Sequence, residues 1–130
     1  MIWQYVKRVL NERYFDNSLR DVPVFEVDFD GDQLGDCETW EEYDMVHVAI
    51  RRGLSTREAL GVLLHEMCHQ AVYEQYGAEV EPHGPEWIAE MVRVGFPDPD
   101  EHSIDLFSTE EAEEILRESQ ENERWRYELW

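Results

Sequence analysis

Lysine is almost missing from this chain. Lys7 is the single one, against ten arginines, and these eleven cations face 31 carboxylates for a formal net charge of −20. Such a chain repels nucleic acid at long range, so direct DNA contact needs a local basic patch, for which Arg51, Arg52 and Arg57 are the candidates. Otherwise the charge is a heavily solvated acidic surface. Little lysine with abundant acid also fits a GC-rich or high-salt host, or a virus of such a host. Cysteine is equally sparse. Cys37 and Cys68 make no disulfide framework and no C-x-x-C pair for a structural zinc, and Cys68 reads as a small core residue. No apolar run approaches membrane-spanning length, and Met-Ile-Trp-Gln-Tyr-Val-Lys-Arg has no signal-peptide layout, so a soluble, cytoplasmic protein without membrane partners is expected. Repeats and low-complexity linkers are lacking too. The 130 residues suffice for one cored domain, not two.

What is present begins with apolar residues at Ile2, Val6, Val9, Leu10 and Tyr14, close to a 3.6-residue period, which predicts a first helix over 2–15. Alternation then takes over, with Phe25, Val27 and Phe29 expected on one side and Glu26 and Asp28 on the other. Asp30-Gly31 predicts a hairpin that pairs this strand with a second stretch from about Leu34 to Trp40. A calcium loop over 28–39 is excluded, because Gly31 falls too early and Thr39 stands where a bidentate Glu belongs. Met45 to Ile50 is a third strand. Its free edge is expected along a cleft, where a peptide could add as a strand. Pro85 to about Val94 reads as a helix with Trp87, Ile88, Met91 and Val92 inward and Gly95 as its stop. Ser108-Thr109-Glu110-Glu111 is a capping box that opens an acidic last helix of about 109–126. That helix has a narrow stripe at Ala112, Ile115 and Leu116. Trp125, Tyr127, Leu129 and Trp130 follow, as a docking patch or a tail folded on the first helix. The pattern is α+β: an N-terminal helix, a small three-stranded sheet, a central helix, a second helix and an acidic C-terminal helix. We divide it into 1–107 and an extension, 108–130.

The chemistry lies in Leu63-Leu64-His65-Glu66-Met67-Cys68-His69. Ser55-Thr56-Arg57-Glu58 is a capping box and Gly77 a stop, so this run sits mid-helix. His65 and His69, four residues apart, lie about 40° from each other on one helix face, and both imidazoles can reach one ion. Glu66 falls beside that ion rather than on it, where a carboxylate can take a proton from water. This is the H-E-x-x-H pattern of zinc hydrolases. Leu60, Leu63, Leu64, Met67, Cys68 and Ala71 form a core stripe nearly opposite the histidines.

A catalytic zinc needs a third protein ligand and an open position. His83, just before Gly84-Pro85 and the next helix, is the best placed. Glu86 and Glu90 are the rivals, and would give a set of two histidines and a carboxylate. Trp87 is expected to anchor the loop that presents His83. His47 and His102 are read as non-ligands.

Several of these segments together resemble the SprT-like metalloprotease domain, the family that includes Spartan. They are the helix ending in Asn11-Glu12-Arg13-Tyr14-Phe15-Asp16, the strand after it, the Leu34-Gly35 turn, the strand Val46 to Ile50, the run Leu64 to His69, and His83-Gly84-Pro85-x-Trp87. The resemblance covers roughly residues 5 to 95. It implies that His65, His69 and His83 bind Zn2+, that Glu66 is the general base and acid, and that the fold is compact and zincin-like. The better-known members cleave proteins crosslinked to DNA, so it extends the expected substrate to nucleic-acid-associated proteins and offers direct DNA binding, which the net charge opposes. An acidic helix stands where many relatives carry a cysteine-rich zinc ribbon.

The expected function is therefore zinc-dependent hydrolysis of peptide bonds in a protein or peptide substrate. Zinc supplies an activated water and a polarised carbonyl, and Glu66 moves the proton. Tyr73 and Tyr43 are available as oxyanion donors, with the role unassigned. The alternative is a non-proteolytic, zinc-stabilised acidic binding module, a mimic of DNA or a component of a larger assembly. A purely structural zinc has no use for Glu66, which favours the enzyme.

Overall fold

A computed structural model describes residues 2–128, with side chains as far as 123. Of the expected docking tail, Leu129 and Trp130 lie outside the described residues, as do the side chains of Trp125 and Tyr127, whose backbone belongs to the last helix. In chain order the elements are α1 (Ile2–Phe15), β1 (Val24–Val27), β2 (Gly35–Trp40), β3 (Met45–Arg51), α2 (Thr56–Tyr76), α3 (Pro85–Val94) and α4 (Thr109–Glu128). This is the expected α+β arrangement, four helices around one small mixed sheet. No helix among the described residues is long and apolar enough to cross a membrane.

The sheet order is β1-β3-β2, so the predicted β1–β2 hairpin does not form. β3 takes the middle because Val46, Val48, Ala49 and Ile50 are all buried, and a strand covered on both faces belongs at the centre. β1 lies parallel to it, with Val24 opposite Val48, and β2 antiparallel, with Cys37 opposite Val48. The turn at Gly31 does exist, at φ +66°, but it carries the chain across the end of β3 to the far edge. Arg51 organises that crossing. Its guanidinium donates to the carbonyls of Gln33 (2.8 Å), Phe29 (3.2 Å) and Gly31. Arg52 is spent as well, on Glu26 (3.8 Å) and Asp28 (3.4 Å), so two members of the expected basic patch serve the fold.

Val24 is buried and Phe25 exposed, because the parallel register puts Val24 on the core side with Val48. A one-residue offset exchanges the two faces of a strand. Gln4 of α1 covers β1 by accepting from the Val24 amide (3.0 Å) and donating to the Val22 carbonyl (2.8 Å). Phe25, His47 and Trp40 form an aromatic row on the outer face of the sheet.

α2 is the axis of the domain. Ser55 caps it, accepting from the Glu58 amide at 3.2 Å, and Gly77 ends it at φ +80°. It is buried nearly all round, on the leucine stripe and on the side of His65, Glu66 and Gln70 as well. α3 runs over the expected residues and stops at Gly95, but only Trp87, Met91 and Val94 point inward. Ile88 and Val92 are exposed. A ten-residue helix lying on the surface of α2 buries one narrow face, and these two fall outside it. α4 packs through Ala112, Ile115 and Ser119, all buried, along α1 and α2, with Arg13 bonded to Glu118 at 2.7 Å. Its capping box closes reciprocally: the Ser108 amide donates to the Glu111 carboxylate and the Glu111 amide to Ser108 Oγ, each at 3.1 Å.

Candidate metal centre

His65 and His69 project from the middle of α2, and His83 arrives from the loop before α3. One nitrogen of each lies within 4.8 Å of the others, the single cluster of potential metal-binding side chains among the described residues. Glu86 and Glu90, the rivals to His83, are not in it, and Glu90 is taken up by Arg93 at 2.8 Å. Trp87, fully buried, is the floor. It stacks on His69 with ring centroids 4.9 Å apart and 14° between planes, and meets His65 (5.0 Å) and His83 (4.7 Å) edge-on. One aromatic plane therefore orients all three rings. The Gly84-Pro85 start of α3 sets Trp87 one turn past His83.

The donor set suits a divalent cation of the zinc type: three imidazoles converging on one point. Burial holds His69 down at about 3, helped by His65 and His83, and lowers His65 for the same reason. Metal binding then displaces no proton from these two rings at neutral pH. His65 Nδ1 lies 2.7 Å from the Ser103 carbonyl oxygen. A carbonyl only accepts, so Nδ1 carries the proton and Nε2 is left with its lone pair.

Glu66 is buried, and one carboxylate oxygen stands 4.0 Å from His65 Nε2, close to the converging nitrogens but outside their set. Burial, reinforced by the Asp36 carboxylate, pushes it up to about 8. Gly35 makes room for it. A Cβ there would sit 2.9 Å from Glu66 Oε2 and 2.6 Å from Val62 Cγ1, so only glycine lets β2 come this close to α2.

The histidines and Glu66 line an open cleft of about 740 Å³. β2 and the segment before it form one wall, the 77–83 loop the opposite one, and Glu101, His102 and Ile104 close an end. Asp32, Asp36, Glu81 and Glu101 line it together with Glu66, and no lysine or arginine does. Tyr73 is on the lining, whereas Tyr43 stands exposed on the turn before β3. His47 is outside, on the far face of the sheet, 3.6 Å from Glu38, and His102 is exposed beside Glu101. Cys37 also lines the cleft, its thiol pushed up by burial.

Reading the sequence missed the Ser103 carbonyl, which no side chain announces. Its one trace is Gly61, a glycine inside a helix, four residues before His65. A model of the SprT-like family matches residues 4–106. Comparison with curated proteins and with solved structures finds no match.

Proposed function

The chain belongs to the SprT-like family, and from that premise we propose that it is a zinc-dependent metallopeptidase, with His65, His69 and His83 holding the ion and Glu66 moving the proton. The observation that carries this reading is the placement of a buried, unligated carboxylate 4.0 Å from the Nε2 of one of three converging histidines, at the floor of an open cleft. A structural zinc needs a closed fourth position and no neighbouring base.

His65, His69 and His83 would hold the zinc, which would supply a bound water with its pKa lowered towards ~7 and polarisation of a substrate carbonyl. Glu66 accepts the proton from water and returns it to the leaving amine. Its burial also keeps bulk water from competing for the carboxylate. Ser103 and Trp87 hold the rings in the ligating orientation.

The substrate we assign is an extended polypeptide. β3 is paired on both sides, so the strand edge that borders the cleft belongs to β2 and replaces the β3 edge expected from the sequence. Backbone groups of β2 can pair with a peptide laid along it. Carboxylates with no lysine or arginine among the lining residues favour cationic segments of protein, including those of nucleic-acid-associated proteins, and repel a nucleic acid from the cleft itself.

The test is Glu66→Gln. The zinc-loaded variant should retain its metal and lose cleavage of unstructured polypeptides by about a hundredfold or more. Equal turnover by variant and wild type would end the enzyme reading and leave the zinc-stabilised binding module in its place.

A further inference from the structure

Outside the triad and Trp87, one main-chain group reaches a ligand ring from another part of the chain, the Ser103 carbonyl on His65. It belongs to a strap, residues 97–106, anchored at its two ends by the buried rings of Phe96 and Phe107. Between these anchors the strap is built around one turn. The Ser103 amide donates to the Asp100 carbonyl (3.1 Å), the His102 amide donates to Asp100 Oδ1 (2.8 Å), and the Asp100 amide donates to Ser103 Oγ (2.9 Å). Directly after it, the Ile104 carbonyl lies against the Cα of Gly61, within α2.

The direction of one peptide unit decides what His65 meets. With the Ser103–Ile104 unit as it stands, a carbonyl oxygen faces Nδ1, which must then carry the proton. Rotated by half a turn, the same unit would present the Ile104 amide N–H. Nδ1 would then be the acceptor and Nε2 the protonated nitrogen, unable to ligate. Anchors at Phe96 and Phe107 do not choose between these orientations, since several free dihedrals separate them from Ser103. The hydrogen bonds centred on Asp100 do choose.

We propose that Asp100 is a positioning residue of the metal centre: by holding the 100–103 turn it aims the Ser103 carbonyl at His65 and so fixes which nitrogen faces the ion. The inference rests on the three-histidine zinc site of the proposed function. It adds a residue that touches neither metal nor substrate, on a strap that also carries Glu101, His102 and Ile104 into the cleft wall. Outer contacts to ligand histidines typically govern metal affinity by 10- to 100-fold.

The experiment measures zinc affinity of the full chain by competition with a chromophoric chelator, for wild type, Asp100→Ala and Asp100→Asn. Imidazole nitrogen NMR of the zinc-loaded proteins reads the His65 tautomer, and thermal melts of the metal-free forms check the fold. Asparagine keeps the Oδ1 acceptor. The expected result is a loss of about tenfold or more for Asp100→Ala, with the His65 Nδ1 proton exchanging freely, and near-wild-type behaviour for Asp100→Asn. Equal affinity in Asp100→Ala and wild type overturns the proposal, as does an equal loss in both variants, which would make the carboxylate charge the cause rather than the turn. If Asp100→Ala fails to fold, Ser103→Ala removes Oγ, which accepts from the Asp100 amide at 2.9 Å and donates to Asp100 Oδ1 at 3.4 Å. A smaller loss in the same direction supports the assignment and no loss overturns it. A wild type that binds no zinc would instead overturn the metal site on which the inference stands.

Discussion

Gly61 and Ile104 meet backbone to backbone. A Cβ on Gly61 would collide with the Ile104 carbonyl oxygen and stand within 2.9 Å of its carbonyl carbon. Alanine inside a helix is ordinarily better than glycine by about 1 kcal/mol. Here the added methyl must displace main chain, which yields less readily than the end of a side chain, and overpacking of this kind costs about 1–3 kcal/mol. Gly61→Ala is therefore expected to gain nothing from its better propensity and to be destabilised by up to about 2 kcal/mol, as urea unfolding would show, and to bind zinc more weakly because Ser103 moves with Ile104. A stabilised Gly61→Ala with unchanged zinc affinity would mean that the strap does not lie on the helix.

His83 is the most exposed of the three clustered histidines, and it comes from a loop rather than from α2. Its removal should leave the fold standing, since Trp87 and α3 stay packed, while the metal is left with two imidazoles from one helix face. Elemental analysis of purified wild type should give about one zinc per chain, and His83→Ala far less. Full zinc in the variant would move the third ligand to Glu86 or Glu90, against the geometry of the cluster.

The parts of this molecule legible in the sequence are those set by neighbours in the chain. Ser55 with Glu58, Gly77, Pro85, Gly95 and Ser108 with Glu111 announce helix ends through hydrogen bonds a few residues long, and each of those ends stands where the spacing puts it. The meeting of His65 with His69 is equally local. The partner of a strand is not. Asp30-Gly31 makes a real turn, yet whether it closes a hairpin depends on β3, which outcompetes β2 for the side of β1 because it buries both faces. The exposure of Ile88 and Val92 was not legible because a helical period does not say how wide the buried face is. Ser103 was invisible because it acts through its main chain.

Charge in the cleft yields a prediction about substrates. Asp32, Glu81 and Glu101 line it without lysine or arginine among the lining residues, and apolar walls such as Leu34, Val62 and Val80 strengthen the field between them. Peptides of matched sequence with lysine or arginine at flanking positions should be cut with higher kcat/KM than those with glutamate. The ratio should shrink as salt is raised from about 0.05 to 0.5 M, where the Debye length falls to a few ångströms. Glu81→Gln, in the loop wall, should narrow the ratio without touching zinc content. Equal rates for cationic and anionic peptides would dissociate the charge of the cleft from substrate choice.

The lone lysine is buried, and its cost should be measurable. Lys7 is 1% exposed, with Nζ 3.1 Å from the Arg20 carbonyl, and burial lowers it from 10.5 to about 8 against the opposing pull of Asp21 and Glu74. A depressed lysine means that the folded state prefers the neutral amine. Between pH 8 and 10.5 the unfolded chain binds more protons than the folded one, so the contribution to stability rises with pH across that window and is lost as pH falls through 8. The difference amounts to about 3 kcal/mol. Lys7→Met removes it and forfeits one hydrogen bond, although the Arg20 carbonyl still accepts from Gln70 Nε2 at 2.9 Å. Net of that loss, the variant should be about 2 kcal/mol more stable at pH 7. Urea unfolding of both proteins from pH 7 to 10.5 should show this advantage fading as wild type sheds its buried charge. A gap that stays constant across the range would mean that Lys7 keeps its ordinary pKa in the fold and that the Arg20 carbonyl, Asp21 and Glu74 compensate its burial in full.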